Sequence, residues 1–411
     1  MHLQNFFIIY NKTQNQKKLA LSAFKMIAII VALAGVAFVF TSSSLIHDDH
    51  ASGAKPNKND IKKNIDKAMK KLKEKFSDND DNEKREEKRD EDDDEKEEEV
   101  EKTNYDYGFA DEGDNKLKDF NFVAAGDYGC SSNAKNTINS MEDKKPELVL
   151  PLGDLSVDKT ATCWLDLVSP FDDKLQITFG YSEVKDGESK LNQYKDVFGL
   201  DKLYYSFDYR NTHFIVMSTL SDFAVTSDQY KFIEKDLQQA SANENIDWIV
   251  VTNYGPFYTS PSAHPAKNDI RNIYHPLFDK YGVDLVLQGH NHNYQRTYPV
   301  IFNPSKASEP IVTNQFTTGY QGSKDGVIYA IVGTAGEGFH PLQGRQTYVA
   351  TQFEGMFGFL NIDITNGNPY TKLTGTFYDN KDGKVGDQFT IEKEIKNNDP
   401  QNVLVQYQQS N

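Results

Sequence analysis

The chain has 411 residues and a formal net charge of −16. That charge argues against nucleic-acid binding through bulk electrostatics, because such surfaces are basic. Two cysteines, Cys130 and Cys163, exclude a disulfide-dense scaffold and a thiolate zinc module.

Residues 1–25 carry Lys12, Lys17, Lys18 and Lys25 and no acid, and read as a basic cytoplasmic N-terminus. Met26–Ile46 is uncharged and long enough to cross a bilayer as a helix of about 20 residues. One-sided lysines would then leave the C-terminal portion outside the cell membrane in a single-pass arrangement. A cleaved signal peptide, giving a secreted protein, is the competing reading, because the strongly apolar part ends at Phe40. Residues 47–117 form a charged stalk. Ile61, Ile65, Met69, Leu72 and Phe76 recur at helical spacing on a lysine-rich background. The strongly acidic run from Asp78 to Lys102 follows, with too little apolar surface to fold alone.

From Phe120 the texture changes. FNFVAAGD, ELVLPLGD, KLQITFG, NIDWIVVTNYGP and VDLVLQGH are apolar runs ending in polar loops. NTINSMEDKK, WLDLVSPF, SDQYKFIEKDLQQA and DIRNIYHPLFDKYG are helical patterns between them. LYYSFDYRNTHFIVMSTL reads as a hairpin, and GVIYAIVGTAG and the stretch from MFGFLNIDI to GDQFTIEKE as further antiparallel strands. This alternation predicts an α/β layered domain over residues 118–395, with a polar tail over 396–411.

Ligands in open α/β sheets bind at the carboxyl ends of strands. There the sequence puts Asp127 after Gly126, Asp154 after Gly153, and His290 and His292 in Gly289–His292. Each glycine is expected to turn the chain so that the next side chain stands over the sheet edge. Two carboxylates and two imidazoles converging there suit a hard-to-borderline metal. Taken singly, a Gly-Asp turn or a surface histidine is unremarkable; the ordered set is harder to dismiss.

GDYG at 126–129, GHNH at 289–292, the following Tyr294 and Arg296, and IVGTAGEG at 331–338 resemble the calcineurin-like metallophosphoesterases, most closely their purple-acid-phosphatase-like branch. The resemblance covers about 118–395 and implies a β-sandwich flanked by helices (αββα) and phosphoric-ester hydrolysis by two metals. In such a site the metals lie about 3.5–4 Å apart and clamp the phosphoryl group. By resemblance, Asp127 and His292 serve one metal, Asp154 bridges both, and His290 serves the other.

The family pattern fails at four positions: Val157, Tyr181, Ser182 and Tyr254. Tyr181 and Tyr254 stand where the second metal's Asn and His ligands belong, and Ser182 where a substrate-facing histidine belongs. A neutral phenol is a poor ligand. The expected cofactor is therefore one Fe, Zn or Mn ion rather than two, with both tyrosine rings beside Asp154 and His290 and their hydroxyls donating to Asp154. His290, Asn253, His264 and His340 are candidates for charge stabilisation. The implied function is a membrane-tethered phosphoric-ester hydrolase, impaired or inactive. The alternative is a pseudo-phosphatase serving as an extracytoplasmic binding or structural envelope module. Expected partners are a phosphate ester or other small anion, and the lipid bilayer through residues 26–46; a protein partner stays open. Cys130 and Cys163 each follow a motif loop and should lie close, either as a disulfide or as two buried thiols.

Overall fold

The structure, a computed structural model, describes residues 118–171 and 173–396. The readings of residues 1–25, 26–46, 47–117 and the tail beyond Lys396 lie outside the described residues. Among the described residues no helix is long and apolar enough to cross a membrane.

Two sheets form the centre. The first holds β1 (Phe120–Ala125), β2 (Leu148–Pro151), β10 (Gly319–Tyr320), β13 (Gly358–Asn366), β14 (Tyr370–Asp379) and β15 (Val385–Glu394), in the order β10-β15-β14-β13-β1-β2. The second holds β3 (Tyr205–Tyr209), β4 (Thr212–Val216), β5 (Trp248–Asn253), β6 (Leu285–Gln288), β7 (Tyr294–Thr297), β11 (Ile328–Val332) and β12 (Val349–Phe353), in the order β12-β7-β11-β6-β5-β4-β3. A two-stranded ribbon of β8 (Val300–Ile301) and β9 (Ile311–Val312) completes the strands among the described residues.

The sheets pack on one another through the apolar side chains of their facing surfaces. Phe122 of β1 meets Phe214 of β4 edge-on at 5.2 Å between ring centroids, and Tyr294 of β7 meets Phe377 of β14 at 4.8 Å. Deleting one such ring would cost about 3–5 kcal/mol. On the outer face of the second sheet, α4 (Asp228–Ala242) and α5 (Asn268–Tyr281) bury Ile233, Leu237, Tyr274 and Phe278 with Ile249 and Val251. α1 (Ser132–Asp143), α2 (Thr162–Val168) and α3 (Glu188–Phe198) belong with the first. This is the expected mixed α/β sandwich.

Local chemistry sets the element ends. Ser131 Oγ accepts from Ala134 N at 3.2 Å to start α1, and Ser227 Oγ from Tyr230 N at 3.1 Å to start α4. Gly282, at φ 72°, ends α5 in the left-handed conformation. The predicted hairpin is β3–β4, turning at Arg210 and Asn211. The apolar run KLQITFG is not a strand. It lies along β2 with Gln176 N donating to Val149 O and Thr178 N to Pro151 O. Pro151 has no N–H to give to the Gln176 carbonyl, so the pairing is interrupted and only isolated bridges remain.

Cys130 and Cys163 are disulfide-bonded, with Cα atoms 6.3 Å apart. The bond ties the loop after β1 to α2. The strand ends themselves are stitched across the two sheets: Gly126 N donates to Val332 O at 2.8 Å and Ala335 N to Gly126 O at 3.0 Å. The C-termini of β1, β2, β5, β6 and β11 thereby meet at one edge.

Candidate metal centre

Asp127, Asp154 and His290 all hold left-handed backbone, with φ 62°, 48° and 73°. Such a conformation costs a non-glycine residue roughly 1 kcal/mol or more and persists where surroundings dictate it. The expectation that the preceding glycine supplies the turn holds at Gly153, at φ 92°, but not at Gly126 or Gly289. Those two serve close approach: a Cβ on Gly289 would sit 2.7 Å from Leu152 O. The functional side chain carries the strain at these loops.

Asp127 is fully buried. Its Oδ2 accepts from His290 N at 2.8 Å, while Oδ1 has no hydrogen-bond partner. His292 Nδ1 lies 2.6 Å from Gly338 O, a carbonyl that can only accept, so Nδ1 carries the proton. The opposite nitrogen, Nε2, lies 3.5 Å from Asp127 Oδ1 and 3.3 Å from Glu337 Oε2. Glu337 Oε1 is also buried without a partner.

The other half of the edge is closed by hydrogen bonds. Tyr254 hydroxyl donates to Asp154 Oδ2 at 2.7 Å and lies 2.7 Å from His290 Nδ1. Its one proton serves the carboxylate, so His290 Nδ1 is the donor in the second contact. Asp154 Oδ1 accepts from Ser182 N at 2.7 Å. Asp154 is thus held by its neighbours on both oxygens. A Cβ on Gly153 would meet the Tyr254 ring at 2.6 Å, and one on Gly180 would collide with Asp154 Oδ1.

Tyr181 departs from expectation. Its ring is 60% exposed at the rim, and no hydrogen bond joins its hydroxyl to Asp154 among the described residues. The cause is Glu183, whose carboxylate accepts from Gly180 N, Asp154 N and Leu155 N at 2.7–3.1 Å. That clamp draws residues 181–183 into a tight 3₁₀ turn that brings the Ser182 N–H to Asp154 and leaves the Tyr181 ring outside. Asn253 also departs: fully buried, its amide is tied to Gly255 O and Gln288 Nε2. His264 stacks on His290 with centroids 4.0 Å apart, and His340 on His292 at 3.7 Å. Among the described residues, the ligand atoms of Cys130, Asp158 and Cys163 form the one His, Cys, Asp or Glu group within 4.8 Å of one another. Both sulfurs there are in the disulfide, and the Asp127–Asp154–His290–His292 set is more open.

The calcineurin-like phosphoesterase family profile matches residues 113–294. Residues 113–294 are thus similar to calcineurin-like phosphoesterase domains. Purple acid phosphatase 18 of Arabidopsis thaliana is 30% identical over 224 residues, 50% of each chain. Fe(3+)-Zn(2+) purple acid phosphatase 12 of Arabidopsis thaliana is 26% identical over 204 residues, 43% of each chain. The structure of purple acid phosphatase PPD1 from yellow lupin (Lupinus luteus) seeds matches at a TM-score of 0.57 and 22% identity, covering 67% of this chain and 54% of that one. The chain spans about half the length, or less, of these curated relatives.

The strand ends hold four carboxylates. Burial, then repulsion from Asp154 and Glu337, raises Asp127 well above the carboxylate range. Burial and Asp154 likewise push Glu183 up to about 8 and Glu337 to about 7. The imidazoles go the other way: burial, then the neighbouring histidines and, for His290, Lys267, lowers His290 to about 3 and His340 to about 4. Neutral imidazoles are the ligand form of histidine.

Glu337 and Glu183 are the residues the sequence reading left without a role. Glu337 lies inside IVGTAGEG, where its signal is an acid flanked by Gly336 and Gly338 after a strand. Glu183 follows Tyr181 and Ser182, and its one signal is an acid three residues after the loop glycine Gly180.

Proposed function

We propose that the domain is a phosphoric-ester hydrolase of purple-acid-phosphatase type working with one metal, its turnover impaired by the loss of the second. The observation that carries this reading is the Tyr254 hydroxyl, which takes up Asp154 Oδ2 and His290 Nδ1 together. On the other side, buried Asp127 Oδ1 and Glu337 Oε2 lie 3.5 and 3.3 Å from His292 Nε2, whose lone pair is free. That donor set suits iron, zinc or manganese. Asp127 and His292 would hold the ion, with Asp154 beside them, and Glu337 within reach. A bound ion supplies charge stabilisation to the phosphoryl group and lowers the pKa of water. The chain's own part is to fix the His292 tautomer through Gly338 O and to keep the imidazoles neutral.

Residues 26–46 are proposed as a single-pass membrane anchor with the phosphoesterase domain on the extracytoplasmic side. The Cys130–Cys163 disulfide supports an oxidising compartment. Turnover of a phosphomonoester by the full chain tests the enzymatic reading. Slow hydrolysis, abolished by chelation and by Asp127→Asn, is expected. Hydrolysis indifferent to both would contradict it, and none at all with metal supplied would favour a binding module on the same fold.

A further inference from the structure

A cavity of about 670 Å³ opens beside the tyrosine half of the centre, with His290 and Tyr254 in its wall. Lys267 also lines it, and is the one lysine or arginine among the lining residues. Its stem packs over Gly255, where an added Cβ would meet Lys267 Cγ at 2.7 Å. That contact fixes the course of the side chain along the wall. Among the described residues no carboxylate lies within ion-pair distance of the Lys267 ammonium. Its charge reaches both His264 and His290, adding to burial in holding them neutral. The exposed acid Asp269 stands at the cavity too. Leu220, Phe223 and Ile270 give another part of the wall an apolar character.

We propose that this cavity binds a phosphate monoester dianion with an apolar organic group, Lys267 being the residue that grips its oxygens. The proposal rests on the phosphoester reading above and adds to it a binding residue and a selectivity for an apolar alcohol portion. Tyr254 is neutral and hydrogen-bonded to Asp154, so it brings no positive charge to the cavity. A phosphoryl group bound beside it needs a cation, and a lysine ammonium is a compact one. The apolar wall then selects the alcohol portion by burying it.

The test is calorimetric binding of orthophosphate and phenyl phosphate to the full chain, wild type against Lys267→Met and Lys267→Arg. Loss of one charge-assisted contact should weaken both ligands roughly 10- to 100-fold in the methionine variant. The arginine variant should stay within a few-fold of wild type, and phenyl phosphate should bind more tightly than orthophosphate wherever binding is seen. Thermal unfolding should be unchanged, and Lys267→Gln replaces the methionine variant if that one unfolds early. Equal binding by wild type and the charge-removing variant overturns the role of Lys267 and leaves the phosphoester reading standing. No binding by wild type, with or without added zinc, overturns both.

Discussion

The centre and the rest of the domain treat buried charge in opposite ways. Away from the strand ends, three buried ions are closely paired. Arg296 pairs with Asp387 through Nε–Oδ2 at 2.6 Å and Nη2–Oδ1 at 3.0 Å. Lys393 holds Asp284 at 2.6 Å, and His213 sits between Asp208 and Asp236 at 2.6 and 2.9 Å. At the strand ends Asp127, Asp154, Glu183 and Glu337 gather with no lysine or arginine bonded to any of them among the described residues. Asp387 and Asp284 are matched by a cation of the chain, and the four acids of the centre are not, which keeps a place for a cation from outside. The inner division of the centre follows the same rule. Where the Tyr254 hydroxyl reaches, Asp154 Oδ2 and His290 Nδ1 are both taken up; where no donor reaches, Asp127 Oδ1 stays bare.

The comparison breaks most directly on the sign of two carboxylate substitutions. Asp387→Ala leaves the Arg296 guanidinium buried and unpaired, and should cost about 4 kcal/mol. Asp127→Asn in the metal-free chain should be neutral or stabilising. It removes a charge that burial disfavours, and an amide in place of Oδ1 can donate toward His292 Nε2. Urea unfolding of the full chain in the presence of a chelator reads both. If Asp127→Asn is as damaging as Asp387→Ala, the acids of the centre are structural and the contrast fails.

A smaller effect concerns pH. Burial alone would lower His213, but its hydrogen bonds to Asp208 and Asp236 outweigh that and lift it to about 9. The folded pKa lies above the unfolded one near 6.5, so the protonated form stabilises the fold. That stability is fully present below about pH 6.5 and is lost as pH rises through 9. With Asp208 half-exposed and screened, the loss amounts to about 2 kcal/mol. Urea midpoints at pH 6 and pH 10, for wild type and His213→Asn, should converge at the higher pH. A constant gap would show that His213 is not charged in the fold.

Much of this was legible in the sequence because the decisive residues are local. GDYG, GD and GHNH end apolar runs, and runs of that kind become parallel strands with their carboxyl ends on one edge. Tyr254 could be placed by counting back from Pro256, and it lies where that count put it, against Asp154 and His290. Tyr181 could not, because its direction depends on the Glu183 clamp, which needs N–H groups from residues 154, 155 and 180 together. Glu337 was hidden for a similar reason. It reaches His292 because β11 pairs parallel to β6 and both end at one edge, and strand order is not written in any one segment. The KLQITFG segment misled through its apolar run, while a proline on the neighbouring strand decided its pairing. Helix α3 went unread: ESKLNQYKDVF has few apolar positions and gains its place by burying Leu191 and Tyr194.

The central claim is that one half of the centre admits a metal and the other is closed by a phenol. Metal content per chain, measured on the full-length protein after loading with zinc or iron and removal of excess, tests it most directly. One ion per chain is predicted for the wild type, none for Asp127→Asn, and more than one for Tyr254→His, which removes the phenol and adds an imidazole beside Asp154. Two ions per wild-type chain would contradict the account, because Asp154 and His290 would then be ligands in spite of the hydroxyl between them.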